Sequence, residues 1–181
     1  RLARQVAQVR QRRLDDYLGK TLRDCTTFAV RRSWSRFCAA VRSELDNLSA
    51  LLARPDDALA AQPLLKDGGS STVGRTRVQG RELVIKRYNI KGFSHWLKRF
   101  WRPTRAWHSW LAAHRLQFLG IATPAPLAMI EQRFGPLRRR AWLITEYCGG
   151  VDLLHYLGED GQRLPEPAVA DALLAVFDQL V

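Results

Sequence analysis

The sequence predicts an α+β fold: a five-stranded antiparallel sheet with one main helix, preceded by helices and followed by the start of a helical lobe. Three observations carry that prediction. Apolar residues fall in strand-length blocks between 63 and 88 and again between 127 and 147. Turn residues separate the blocks, at Gly68-Gly69, Gln79-Gly80 and Gly135-Pro136, and tight turns join strands antiparallel. Between the two groups, residues 103–120 carry a helical apolar period.

The elements follow in order. Over residues 1–61 the pattern predicts helices, because Phe28, Trp34, Phe37, Val41, Leu45, Leu48, Leu51 and Leu52 recur near three- and four-residue spacing. Pro55 and the Asp56-Asp57 pair mark a break, and Pro63 closes the linker. Strands are expected near 63–67, 72–78 and 82–88, and residues 90–102 are basic and aromatic. Pro103 suits a helix first turn, after which Trp107, Trp110, Leu111, His114, Leu116 and Phe118 continue the helix towards Gly120. Residues 121–126, IATPAP, are too rich in proline for helix and lead to strands at 127–134 and 140–147. The second strand stops at Gly149-Gly150. A short helix at 152–157, a loop at 158–165 and a helix from 166 with Val169, Leu173, Leu174, Phe177 and Leu180 on its apolar side complete the chain. The expected division is an amino-terminal helical segment (1–61), a small lobe (62–147), and a hinge with the start of a truncated large lobe (148–181).

Composition narrows the function classes. With 181 residues, 46% of them hydrophobic, the chain can bury a core. No apolar run approaches the roughly 18–20 residues needed to cross a bilayer, and no charged-then-apolar leader opens the sequence. Cys25, Cys38 and Cys148 are too few and too widely spaced for a disulfide framework or a zinc site, so reduced thiols and a cytoplasmic location are expected. Arg1 in place of methionine and a helical pattern running into Val181 suggest a fragment. Formal net charge is +12, and residues 75–105 hold ten Lys or Arg against the single acid Glu82. Such a face attracts nucleic acid, acidic lipid headgroups or phosphorylated sugars alike.

The residues richest in chemistry lie between 65 and 88. Gly68 and Gly69 let backbone N–H groups approach an anion closely, and Ser70, Ser71 and Thr72 add hydroxyl donors to the same turn. Strand alternation places Leu83 and Ile85 on one face and Val84 with Lys86 on the other. An ammonium held there without a counter-charge invites a phosphate; the alternative is a solvent-facing lysine beside an ordinary hairpin.

With Lys86 on the third expected strand and TEYCGG after the fifth, the order resembles the amino-terminal lobe and hinge of the protein-kinase-like fold. The phrases LKDGGSSTV, VIKRYNIKG, RPTRAWHSW, AHRLQFLGIATPAPLAMIE and AWLITEY resemble the lipopolysaccharide core kinase family of Gram-negative bacteria, which includes the WaaP and InaA groups. That resemblance spans roughly 64–157. It implies that Gly68, Gly69, Ser70, Ser71 and Thr72 cover the phosphates of ATP, that Lys86 contacts the α- and β-phosphates, and that Thr145 is the gatekeeper. It further implies that the Glu146 carbonyl and the Cys148 N–H read the adenine and that Asp152 accepts from a ribose hydroxyl. For Asp152 the alternative is a helix N-cap, and for Cys148 a small buried apolar side chain.

Two departures stand out. The helix at 103–120 has no acid to pair with Lys86; Ser109 stands about where one is expected, leaving as alternatives Glu131 or an acid of the leading helices, or orientation by nucleotide alone. Nor does a His-Gly-Asp string occur, so no catalytic residue is assigned, and the ligands for Mg²⁺ are expected beyond residue 181. His155 reads as a surface or hinge-packing residue. His95, His108 and His114 read as packing or surface residues, since no cysteine or carboxylate cluster joins them.

The implied acceptor is lipopolysaccharide core oligosaccharide or its lipid-linked precursor, with peripheral contact to the anionic inner face of the inner membrane. Trp96, Phe100, Trp101, Trp107 and Trp110 among Lys98, Arg99, Arg102 and Arg105 could supply that contact, or could pack beneath the sheet. Arg138, Arg139 and Arg140 read as a solvated turn. Two alternatives remain: a basic membrane- or nucleic-acid-binding module with a degenerate kinase lobe, the nucleic-acid form being disfavoured, and a small-molecule phosphotransferase.

Overall fold

Helix α1 (Leu2–Lys20) opens the chain and turns at Thr21 into a hairpin, β1 (Phe28–Arg32) and β2 (Arg36–Val41). A 3-10 turn (Arg42–Glu44) leads to α2 (Ser49–Ala53) and α3 (Pro55–Ala60). Then come β3 (Leu64–Gly68), β4 (Ser71–Val78), β5 (Arg81–Tyr88), α4 (Arg105–Phe118), β6 (Pro126–Phe134), β7 (Leu137–Glu146), α5 (Leu153–Leu157) and α6 (Pro167–Leu180). This computed structural model describes residues 2–61, 63–89, 102–150, 153–158 and 165–180.

One antiparallel sheet takes all seven strands, in the order β1-β2-β6-β7-β5-β4-β3. Its last five follow the sequence expectation to within about three residues at each end. The first two do not: residues 28–41, expected to be helical, form a hairpin that widens the sheet from five strands to seven. The reason is burial on both faces. Phe37 and Ala39 point to one side and Ala40 to the other, all inaccessible to solvent, so the hairpin lacks the in-out alternation that identifies a strand. Pro55 likewise begins a helix rather than a linker, its fixed φ suiting the first position while Asp56 and Asp57 occupy the first turn, where their charge favours the helix dipole.

Two cores result, one on each face of the sheet. Leu83, Ile85, Trp142 and Ile144 pack with Leu48, Leu51 and Leu59 of the α2–α3 layer. Tyr88, Leu143, Met129, Phe37 and Phe28 pack with Ala106 and Trp110 of α4. Thr104 caps α4, accepting from the Trp107 N–H at 3.2 Å. α1 then rests on α4, with the Tyr17 ring 6.0 Å from His114 and 5.3 Å from Phe118. Leu174 and Phe177 of α6, expected on an apolar side, are exposed among the described residues.

Candidate functional site

Strand register decides which side chains meet. Lys86 lies opposite Val73 on one neighbour and Leu143 on the other. Two residues back, Val84 lies opposite Arg75 and Thr145; two residues forward, Tyr88 lies opposite Ser71 and Ala141. Side chains directly opposite share a face. Lys86 therefore sits on the α4 side with Val73, Val84, Thr145 and Leu143, between the glycine turn at one end of the sheet and the β7 terminus at the other.

Lys86 is half-buried, its Nζ 5.4 Å from the centroid of the Tyr88 ring. Among the described residues no carboxylate lies within ion-pairing distance of it. On α4, Ser109 accepts a hydrogen bond from the Tyr88 hydroxyl at 2.8 Å. Glu131, a candidate partner from the sequence, is committed elsewhere. Fully buried, it pairs with Arg133 at 2.6 Å and Arg138 at 3.4 Å and accepts from the Thr104 hydroxyl. Its chemistry is structural, holding the α4 N-terminus to β6 and β7.

The glycine turn is held from one side. Asn89 donates from Nδ2 to the Gly68 carbonyl and to Thr72 Oγ1, both at 3.1 Å, and its backbone N–H bonds Ser70 O at 3.2 Å. Arg87 donates from Nε to Asn89 Oδ1 at 3.0 Å and from Nη2 to Thr72 Oγ1 at 3.3 Å. Thr72 in turn donates to Asp67 at 3.2 Å. Thr72 lies opposite Arg87, on the face away from Lys86, and its hydroxyl is engaged in this clamp. Gly68, Gly69 and Ser70 stay at the tip, and Ser71 shares the Lys86 face. A side chain added at Gly69 would meet nothing within 4 Å, so the tip of the turn is open to solvent.

At the other end, Glu146 closes β7, its N–H bonded to Ala125 O and the next N–H, of Tyr147, to Glu82 O, both at 3.0 Å. The Glu146 side chain pairs with Arg81, which also grips both carboxylate oxygens of Glu44 at 2.9 and 3.0 Å and holds that carboxyl below its usual range. Cys148 follows, exposed, and among the described residues no hydrogen bond takes its N–H. Asp152 lies outside the described residues.

The basic stretch is less free than its composition suggests. Arg75 and Arg77 both pair with Glu82, and Arg87 pairs with Asp56. The tryptophan patch also divides. Trp110 is fully buried and Trp107 packs 5.2 Å from the Phe37 ring, so both belong to the core; Trp96, Lys98, Arg99, Phe100 and Trp101 lie outside the described residues, as does His95. His108 is exposed and His114 buried, and among the described residues no three His, Cys, Asp or Glu side chains group to hold a metal ion. Missed from the sequence were Val73 and Leu143, legible only once strand pairing is known, and the Asn89 clamp, whose one signal is an amide directly after the strand.

A family model described as "Lipopolysaccharide kinase (Kdo/WaaP) family" matches residues 64–180. The chain is also similar to a solved structure described as "WaaP in complex with acyl carrier protein", at 25% identity and a TM-score of 0.46, over 70% of this chain and 48% of that one. It thus spans about half the length of that relative. Among curated proteins none matches.

Proposed function

The chain belongs to the lipopolysaccharide kinase (Kdo/WaaP) family, and from that premise we propose that it is the ATP-binding half of a kinase acting on sugars of the lipopolysaccharide core. One observation carries the reading. Lys86 stands half-buried on the α4 face, in register with the glycine-turn strand and the hinge strand, with no carboxylate beside it among the described residues. A phosphate supplies the counter-charge that the described residues do not.

ATP supplies the γ-phosphoryl group for in-line transfer to a sugar hydroxyl, with Mg²⁺ neutralising its charge. Lys86 holds the α- and β-phosphates. Gly68, Gly69, Ser70 and Ser71 lie over them, offering backbone N–H groups and the two serine hydroxyls. Val73, Val84 and Thr145 form the bed for the purine, and the Glu146 carbonyl and Cys148 N–H read its edge. Asp152 binds the ribose. These roles divide the chain into a leading segment (1–61), a small lobe (62–147) and a hinge with the start of a large lobe (148–181). No residue here is given the catalytic base or the metal ligands, so transfer requires residues beyond those assigned. The acceptor is core oligosaccharide or its lipid-linked precursor, met at the anionic inner face of the inner membrane. No helix among the described residues is long and apolar enough to cross that membrane.

The test is Lys86→Ala in the full-length protein. Lys86 makes no ion pair among the described residues, so the variant keeps its thermal midpoint, while ATP-dependent phosphate incorporation into core oligosaccharide falls by about 100-fold or more. Retained activity would remove Lys86 from the site. A second reading, a binding module with a degenerate kinase lobe, is favoured by Ser109 standing where α4 offers no carboxylate to Lys86. Absence of ATP binding by the unaltered protein would decide for it.

A further inference from the structure

Two hairpin tips meet at one corner of the sheet. The β1–β2 turn carries Trp34 and the β6–β7 turn carries Phe134, 68% and 62% exposed, with ring centroids 6.0 Å apart in an edge-to-face arrangement. Backbone bonds tie the tips together: Gly135 N–H to Trp34 O at 2.9 Å and Arg133 N–H to Ser35 O at 2.8 Å. Gly135 has φ of 58°, and a Cβ there would come within 2.8 Å of the Trp34 ring, so glycine is what lets the indole lie across the second turn. The aromatic pair is therefore held rigidly outward, where burial in a core would be the usual fate of such side chains.

Its surroundings are basic. Residues 28–41 and 126–146 contain seven arginines; their two acids are Glu131, which is buried, and Glu146, at the far end of β7. Arg31, Arg32 and Arg139 are exposed, as is Arg140, which pairs with Asp56 at 3.9 Å. The apolar area is small. Two aromatic side chains offer at most about 500 Å², well short of the roughly 800 Å² per partner that a stable protein interface needs. A bilayer has no such requirement. An indole and a phenyl ring favour the headgroup level, and an arginine collar is attracted by anionic lipid at about 1 kcal/mol per residue near the surface.

We propose that these paired tips dock the protein onto an anionic bilayer, with Trp34 and Phe134 as the inserted side chains. This deepens the peripheral membrane contact proposed above by giving it a surface. The register adds a consequence. Ser71, Tyr88 and Ala141 are level across the sheet, and both the glycine turn and the aromatic tips lie beyond that level on the same side, with the hinge at the opposite end. Docking thus turns the glycine-turn end of the sheet towards the lipid.

The experiment is co-sedimentation with vesicles of phosphatidylcholine alone and of phosphatidylcholine with phosphatidylglycerol. The unaltered protein binds the anionic vesicles, and Trp34→Ser with Phe134→Ser lowers its partition by about tenfold at unchanged thermal midpoint. Trp34→Phe retains binding but loses part of the fluorescence quenching that brominated phosphatidylglycerol causes in the unaltered protein. The proposal is overturned if the unaltered protein ignores anionic vesicles, if the double variant partitions as well as it does, or if Trp34→Phe is quenched to the same extent. ATP binding, measured on the same samples, separates this from the nucleotide reading. Loss of one without the other leaves the other standing.

Discussion

Lys86 and His114 occupy the same α4-side layer at different depths. Lys86 is half-buried, its ammonium 5.4 Å from the centroid of the Tyr88 ring. His114 is 2% exposed, edge-on to Phe28 and Trp110, with Nδ1 3.2 Å from the Tyr17 hydroxyl. Burial lowers its pKa from 6.5 to about 4. The native state therefore disfavours the protonated ring, so the stabilisation is complete above pH 6.5 and is lost as pH falls towards 4. By pH 5 the loss is roughly 2 kcal/mol. Chemical-denaturation midpoints measured from pH 7.5 to 5 should fall for the unaltered protein and stay nearly level for His114→Gln, which starts lower; parallel slopes would show that His114 does not carry the effect. At this scale the sequence reveals Lys86, because one lysine inside an apolar strand is conspicuous. It hides Thr72, whose hydroxyl is claimed by Asn89 and Arg87 across a turn that no spacing rule describes.

Elements bounded by strong turn chemistry were legible, and those without it were not. The three strands from β3 to β5 could be read because glycine interrupts them at 68–69 and at 80, and β6 and β7 because Gly135-Pro136 divides them. The β1–β2 hairpin turns instead at Ser33-Trp34-Ser35, with neither glycine nor proline, and its two buried faces imitate helical spacing. The β4–β5 turn offers a direct test of what such chemistry is worth. Gln79 and Gly80 have φ of 48° and 82°, and Val78 pairs with Arg81, which makes a two-residue turn with both central residues left-handed. Glutamine bears a steric cost of about 1 kcal/mol in that conformation, whereas asparagine tolerates it. Gln79→Asn should raise unfolding free energy by about 0.5 kcal/mol with an unchanged denaturant slope. A neutral or negative change would mean that the exposed glutamine makes a compensating contact.

Across the whole molecule, the sheet separates the side that carries Lys86 from a side braced by α2 and α3, and a polar network on the second side reaches the glycine turn. Asp56, in the first turn of α3, accepts from Trp142 Nε1 at 2.9 Å and pairs with Arg87 at 3.3 Å. Arg87 passes the connection to Asn89 and Thr72, and Asn89 reaches the Gly68 carbonyl. The glycine turn is thus fastened through β5 to a helix on the opposite face. If the turn covers phosphates, as proposed, it must move to admit them, and a tether of this kind sets how far it opens. Asn89→Ala removes three side-chain bonds, those to Gly68 and Thr72 and the one accepted from Arg87, each worth about 0.5–1.5 kcal/mol, but leaves the backbone bond from Asn89 to Ser70 in place. Amide hydrogen exchange should therefore quicken by about tenfold at Ser70, Ser71 and Thr72, while the buried β6 amides of Met129 and Ile130 exchange as before. Uniform acceleration would indicate global destabilisation instead, and no acceleration would mean that Arg87 and the β3–β4 pairing hold the turn without Asn89. Because exchange is read without nucleotide, the result bears on the tether alone. If ATP binding weakens in the same variant while Lys86 remains in place, the turn and the lysine act on one ligand, and the order imposed from α3 through β5 becomes part of its affinity.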